Sequence, residues 1–219
     1  MTGVPIAQLF DWPPAAKFGR RVPKEMFYKH GTVSATVRER FVSEVASIEW
    51  AFKLAESTIN LPGTEDLPEV QVFRIKAKHE DVAKPVLAAI DAAVPHPILF
   101  EILRTGTRGE EGRMAAAARK SRAFHSTVWV PGTTPRTSLP TAISLDALYA
   151  QLLETLLPVT GRIGETPEDL AERASRVNKL ERDVAAMRRR LRNEPQFNRK
   201  LELRRALKAL QAELEDTRK

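Results

Sequence analysis

A mixed α/β domain followed by a coiled-coil-like antiparallel helical hairpin is the fold class this chain predicts, on three observations. Between residues 69 and 104, two runs of apolar and β-branched residues flank a short amphipathic stretch, the pattern of a strand–helix–strand unit. From Thr166 onward the sequence holds no glycine, no strand signal and one interrupting proline, Pro195, set between two leucine-rich seams. The length of 219 residues suits one well-buried domain plus such an appendage. The expected division is a mixed α+β domain over residues 1–160 and a helical arm over residues 165–219.

In chain order, Pro5, Pro13, Pro14 and Pro23, interspersed with Trp12, Phe18 and Phe27, predict an extended opening stretch anchored on the domain surface by its aromatic rings. From Ser34 to Ala55, Val37, Phe41, Val45, Ile48 and Phe52 recur at steps of four, four, three and four, which predicts a single amphipathic helix with Trp50 as a packing residue. Glu69–Lys78 is rich in β-branched residues and alternates from Phe73 onward, predicting a strand bulged near Phe73. A helix carrying Val86, Leu87, Ile90 and Val94 follows and ends at Pro95, and Pro97–Arg104 is a second apolar strand. The loop with Gly106, Gly109 and Gly112 leads into residues 113–118, which are helical by propensity. They are assigned as a strand because the run Phe124–Val130 needs a hairpin partner. Ser144 caps a last helix, Leu145–Leu157, and Pro158–Gly164 form the linker.

The arm opens at Thr166-Pro167-Glu168-Asp169: a capping hydroxyl, a proline at the first helical position, and acids facing the positive end of the helix dipole. Leu170, Val177, Val184 and Leu191 repeat every seventh residue, with Leu180 and Met187 between them, and a second seam runs through Leu203, Leu207, Leu210 and Leu214. An unbroken helix would rotate the second seam by about 120° from the first. A reversal at Pro195 instead lets the seams face each other along limbs of about 35–40 Å. A kinked helix that dimerises along both seams is the competing arrangement.

Charge singles out the bend. Residues 165–219 hold 15 Lys+Arg against 11 Asp+Glu, leaving 20 against 17 in the rest of the chain, out of a net charge of +7. Between residues 188 and 205, Arg188, Arg189, Arg190, Arg192, Arg199, Lys200, Arg204 and Arg205 face only Glu194 and Glu202. Guanidinium groups fork onto phosphates or carboxylates, and Phe197 at the turn is placed to stack on a base or plug a pocket. These nine residues are the candidate nucleic-acid or partner-binding site; a plain solvated face with Phe197 stapling the turn is the alternative.

No catalytic constellation accompanies them. Cysteine is absent, which removes disulfides, thiolate metal sites and a cysteine nucleophile and suits a reducing cytoplasm. The N-terminus lacks the pattern of a signal peptide, and no apolar run reaches membrane-spanning length. The glycines at 106, 109 and 112 lack the Lys-Ser/Thr pair of a phosphate loop, there is no serine elbow, and His30, His79, His96 and His125 have no partner at chelating spacing. No cofactor, metal or catalytic residue is therefore assigned. A metal-dependent nuclease would draw on Glu69, Glu101, Lys76 and Lys78, yet Arg104, three residues after Glu101, falls on the opposite face of a strand from it. Strand-edge ion pairs account for these residues more simply.

The order of pieces resembles a known family. Val22-Pro23-Lys24 with Phe27-Tyr28, then Phe41-Val42, Ile48-Glu49-Trp50, Lys53-Leu54, Thr58-Ile59-Asn60, Glu69-Val70-Gln71-Val72-Phe73, Ile90-Asp91, Pro95, Ile98-Leu99-Phe100-Glu101, and the distal Asn193-Glu194, Gln196-Phe197-Asn198, Lys200 and Glu202-Leu203 resemble the bacterial family catalogued as domain of unknown function 4391, nearly end to end. The small residues Ala115–Ala118 depart from the larger apolar or aromatic side chains expected there. The resemblance implies genomic company with helicases and DNA methyltransferases in restriction-like or antiphage clusters, and it brings no catalytic residues. The leading expectation is a non-catalytic, cytoplasmic accessory subunit that binds a helicase or methyltransferase partner, DNA, or both through the basic hairpin. The alternatives are a nuclease subunit and a homo-oligomeric interaction protein, with a homodimer forming through the arm.

Overall fold

The computed structural model describes residues 9–30, 33–106, 109–117, 124–157, 159, 161, 162, 165 and 167–219, without the side chains of residues 29, 30, 167, 168, 171 and 197. The chain forms two compact units, Ile6–Leu156 and Leu157–Lys219.

The first unit is built on a seven-stranded sheet. Its elements are β1 (Phe10–Asp11), a 3-10 turn (Pro14–Ala16), β2 (Lys17–Arg21), α1 (Lys24–His30), α2 (Ala35–Glu44), β3 (Val45–Ala55), α3 (Glu56–Ile59), β4 (Glu69–Ala77), α4 (Lys84–Ala93), β5 (Ile98–Gly106), β6 (Gly109–Ala117), β7 (Phe124–Ser126), β8 (Val130–Pro131), β9 (Thr137–Ser138) and α5 (Leu145–Glu154). The strand order is β2-β3-β4-β5-β6-β7, with β8 also on β6, while β1 and β9 form a separate parallel pair. Within the main sheet only β4 and β5 run parallel, joined through α4 as the strand–helix–strand pattern requires.

Alternation along the central strands feeds two cores. Val70, Val72, Leu99 and Met114 point to one face, where they meet Leu9, Phe10 and Trp12 of the N-terminal segment and Leu145, Leu148 and Leu152 of α5. Phe73, Ile75, Phe100 and Ile102 point to the other, against Phe27 of α1, Phe41 of α2 and Val86, Leu87 and Ile90 of α4. Burial on both faces explains why β4 and β5 read as nearly continuous apolar runs. Gly112 lies inside β6, not in the preceding loop: a Cβ there would come within 2.8 Å of Leu9 Cδ1, so the absent side chain lets the N-terminal segment lie flat on the strand.

Several sequence expectations need correction. Residues from Ser34 to Ala55 are not one helix: Ser34 does cap a helix, its Oγ accepting from the Val37 amide at 3.3 Å, but the helix stops at Glu44 and β3 begins. The chain changes state where β-branched and aromatic residues take over, and two register irregularities, between Val45 and Ser47 and between Trp50 and Phe52, break the alternation. Burial therefore falls at Val45, Ile48, Ala51 and Leu54, a three-residue step that imitates a helix. The bulge expected near Phe73 sits across from it, on β3 beside Trp50. The run Phe124–Val130 divides into β7 and β8, both paired with β6. The opening segment is a strand, turn, strand and helix, with Trp12 and Phe27 buried. The helix capped by Ser144, whose Oγ accepts from the Ala147 amide, ends at Glu154. The assignment of residues 113–117 to a strand holds, whereas Ala118, Pro5 and most of the predicted linker lie outside the described residues.

The second unit is a helical hairpin: α6 (Pro167–Asn193) and α7 (Phe197–Arg218), joined by Glu194, Pro195 and Gln196. The predicted cap at Thr166 falls outside the described residues, but the helix starts at Pro167 as expected. Leu170, Ala174, Val177, Leu180 and Val184 are buried against Leu214 and against Leu157 and Val159, with Leu207 and Leu210 packed alongside. Cross-limb ion pairs, Arg176 with Glu213 at 2.7 Å and Arg218 with Glu181, fix the antiparallel direction. At the root, Arg173 grips Glu165 through Nε and Nη2, each at 2.7 Å, and reaches the Thr217 carbonyl. The hydrogen bond from Arg173 holds the Glu165 carboxyl well below the usual carboxylate range, down to about 2. A depressed carboxylate stabilises the fold fully above its unfolded value of 4.5, and the contribution is lost between about 4.5 and about 2. Thermal midpoints from helical circular dichroism should therefore fall less over that window in Glu165→Gln than in the parent.

Candidate anion-binding tip

The local sequence makes the bend and sets what it displays. Pro195 has no amide to donate and disfavours helix in the residue before it, so α6 stops at Asn193. The Glu194 carboxylate accepts from the Gln196 amide at 3.0 Å, and the Gln196 carbonyl accepts from Lys200, which starts α7. Because the apolar seam occupies one stripe of each limb, the remaining positions near the bend must face water. Those positions are mostly arginine.

All nine predicted site residues lie on the two flanks of this three-residue connection. Arg188, Arg189, Arg190, Arg192, Arg199, Arg204 and Arg205 are exposed and Lys200 is half-exposed, while the side chain of Phe197 lies outside the described residues. At ~1.5 Å per residue, all eight cations fall within about 12 Å of the bend along the helix axes. Among the described residues, no hydrogen bond or ion pair joins any of the eight side chains to a carboxylate, whereas Arg173, Arg176 and Arg218 toward the root are all paired. Apolar surface is interleaved with the charge: Leu201 is 42% exposed, and Ala185 and Leu191 floor a shallow depression rimmed by Arg188, Arg189 and Arg192. Arginine stems pack on such surface while their heads stay hydrated, so the tip offers charge and apolar contact together.

The α/β unit places its own ionisable residues in closed arrangements. Glu101 is fully buried, accepting from Arg136 Nη2 at 2.6 Å, Arg136 Nη1 at 3.3 Å and Trp12 Nε1 at 3.0 Å, with Arg74 Nε 3.5 Å away. Burial pushes its carboxyl up, but these donors, led by Arg136, outweigh that and hold it below its ordinary value. Glu69 pairs with Lys53 and accepts from Gln71. Lys78 donates to the Val42 carbonyl. Glu69 lies on the α1/α2/α4 face of the sheet and Glu101 on the α5 face, so the two carboxylates cannot share an ion. Among the described residues, no group of three or more His, Asp or Glu is placed to hold a metal.

Sequence reasoning missed the Glu101–Arg136–Trp12 network, although a lone carboxylate inside the apolar run Ile98-Leu-Phe-Glu-Ile-Leu signals a buried acid in need of a cation. It also missed Trp129, over whose ring the Arg104 and Arg113 guanidiniums lie at 4.0 and 5.1 Å. Those two arginines are already committed, to Glu111 and Asp81 respectively, so the cluster fastens β5 and β6 to the start of α4 and leaves no free charge for a ligand. His125 is buried on β7, and neither ring nitrogen has a hydrogen-bond partner among the described residues.

Among the described residues, no helix is long and apolar enough to cross a membrane. No curated protein and no solved structure matches the chain. A family model does match, over residues 10–214, which takes in both the sheet domain and nearly the whole hairpin: the chain belongs to the family described as domain of unknown function 4391 (DUF4391).

Proposed function

We propose that this protein is a non-catalytic accessory subunit of a bacterial DNA-processing system of the restriction or antiphage kind, working in the cytoplasm. In this reading the basic end of its hairpin engages DNA phosphates beside a helicase or DNA methyltransferase partner. The observation that carries the proposal is the set of eight cations around one bend that, among the described residues, form no ion pair even with Glu194 and Glu202 between them, while Arg173, Arg176 and Arg218 elsewhere on the arm are paired. Like charges held this close repel, and an anion that enters the cluster relieves the repulsion. Helices end in a three-residue bend for many reasons, but only Glu194 and Glu202 of the arm's 11 acids lie between residues 188 and 205, which gives the arm a direction. The family's expected genomic neighbours supply the partner class.

Binding driven by phosphate contacts weakens with salt in proportion to the phosphates neutralised. Gel shifts on duplex DNA from about 50 to 200 mM salt are expected to show a steep fall for the parent. The triple variant Arg188→Glu, Arg189→Glu, Arg190→Glu should flatten the log–log slope by about 2.7, at ~0.9 per lost contact. Absent binding, or equal slopes in parent and variant, would remove the DNA reading. The Leu201 and Ala185–Leu191 surface favours a second reading, in which the tip docks on the partner protein itself. In that case copurification with the helicase or methyltransferase fails in the same triple variant, whereas docking through the rest of the molecule survives it.

A further inference from the structure

The β2 edge of the main sheet, unpaired among the described residues, carries a second cationic surface of different chemistry. Strand β2 is the terminal strand of the sheet, and all five of its residues, Lys17-Phe-Gly-Arg-Arg21, are exposed. Phe18 remains 43% exposed, although its ring lies 4.1 Å from that of Trp50, centroid to centroid. Trp50 is itself held on both sides: its Nε1 donates to the Phe52 carbonyl at 3.1 Å, and its ring stacks on buried Phe73 at 6.2 Å with an interplanar angle of 8°. Phe18, tilted by 35° against Trp50, is thus the exposed member of an aromatic cluster that reaches core Phe73 through Trp50. Arg20, in register with Trp50, shares the Phe18 face, whereas Lys17 and Arg21, in register with Phe52 and Glu49, project from the other; none of the three has an ion-pair or side-chain hydrogen-bond partner among the described residues. The nearby carboxylate, Glu49, lies 3.7 Å from Arg74.

We infer that this edge is a binding site for single-stranded nucleic acid, with an unpaired base stacked on Phe18 and an adjoining phosphate held by Arg20, the cation on the same face of the strand. A base laid on the exposed ring of Phe18 extends an aromatic contact already backed by Trp50, and Arg20 on the same face matches a phosphate of the same strand. Duplex DNA does not fit, because its bases are already stacked on one another. The other natural ligand of a sheet edge is an added peptide strand. The register between Lys17 and Arg20 is broken, however, and Gly19 adopts a left-handed φ of 65°, so the edge lacks the regular ladder that strand addition requires. Bulges and cations do protect edges against pairing, but protection by charge does not call for a half-exposed phenyl ring.

This site is separate from the hairpin tip, so it is tested in the full-length protein carrying the Arg188→Glu, Arg189→Glu, Arg190→Glu substitutions. The probe is oligo(dT), and the readout is quenching of tryptophan fluorescence, to which a base stacked beside Trp50 contributes directly. The tip-reversed protein is expected to bind oligo(dT) with quenching, and to bind a duplex of the same length at least tenfold more weakly. Phe18→Leu, which keeps Trp50 covered, should weaken oligo(dT) binding by roughly 5- to 150-fold with an unchanged melting temperature, and Phe18→Tyr should restore it. Three results would each overturn the site: no oligo(dT) binding once the tip is reversed, Phe18→Leu binding as tightly as its parent, or equal quenching by duplex. None of these touches the tip proposal, which stands or falls on the duplex salt series compared between the parent and the tip-reversed protein.

Discussion

Arg136→Leu should destabilise the α/β unit by about 3–5 kcal/mol, and Glu101→Gln by distinctly less, although both break the same pair. The asymmetry follows from where each charge is left. Glu101 is fully buried, whereas the Arg136 side chain is 36% exposed. Removing the arginine strands a carboxylate in the core with only Arg74, 3.5 Å away, and the Trp12 donor; removing the carboxylate frees a guanidinium that can turn to water and keep its bond to the Phe10 carbonyl. The stranded acid should bind a proton far more readily, so the deficit of Arg136→Leu should shrink as pH falls from 7 toward 5, a dependence that Glu101→Gln lacks. A double variant, Arg136→Leu with Glu101→Leu, should recover much of the loss, since replacing both partners with apolar groups leaves no buried charge unpaired. Trp12, Trp50 and Trp129 all lie in this unit. Urea unfolding followed by tryptophan fluorescence therefore reports on it without interference from the arm, and equal losses in the two single variants would refute the argument.

The same network shows why parts of the fold were not legible in the sequence. Its four residues, at positions 12, 74, 101 and 136, come from segments with no local relation, so no spacing rule could join them. Glu101 alone hinted at a buried counter-charge. The misreading of β3 has a different origin. Local pattern measures the period of burial, and two bulges turned the two-residue period of a strand into a three-residue one. The β-branched and aromatic content of Val45–Ala55 pointed the other way and was the better guide. At Ala116 the small side chain has a tertiary cause: it faces α5, whose Tyr149 hydroxyl donates to the Ala117 carbonyl at 3.2 Å, which brings the helix close onto the β6 backbone where a large residue would hold it off.

The hairpin was readable for the opposite reason. Its stabilising contacts repeat along each limb, its reversal is marked by a proline, and its partner seam is in the next helix, so local rules suffice. The tip cations were readable because positions off the apolar stripe of each limb must face water. The aromatic stack at β2 was not: Phe18 and Trp50 are 32 positions apart, and Trp50 had been placed on a helix.

His125 gives the second large effect, and it acts through pH. Its ring is 2% exposed on β7, opposite Ala116, and both nitrogens are without a hydrogen-bond partner among the described residues. Burial, aided by the positive charge of Lys84, lowers its value from 6.5 to about 4. The unfolded chain therefore takes up a proton near pH 6.5, while the folded protein resists it until about pH 4. Across that interval the unfolded state holds more protons, so stability falls as pH is lowered and is flat above 6.5 as far as this group is concerned. The difference of 6.5 less about 4, at 1.36 kcal/mol per unit, corresponds to about 3 kcal/mol. His125→Leu removes the proton site and two desolvated nitrogens at once. It is expected to leave stability at pH 7 no lower than the parent's and to remove most of the decline between pH 6.5 and 4. A variant whose stability fell with the parent's slope over that interval would show that His125 is protonated in the folded protein, or that other groups set its acid sensitivity.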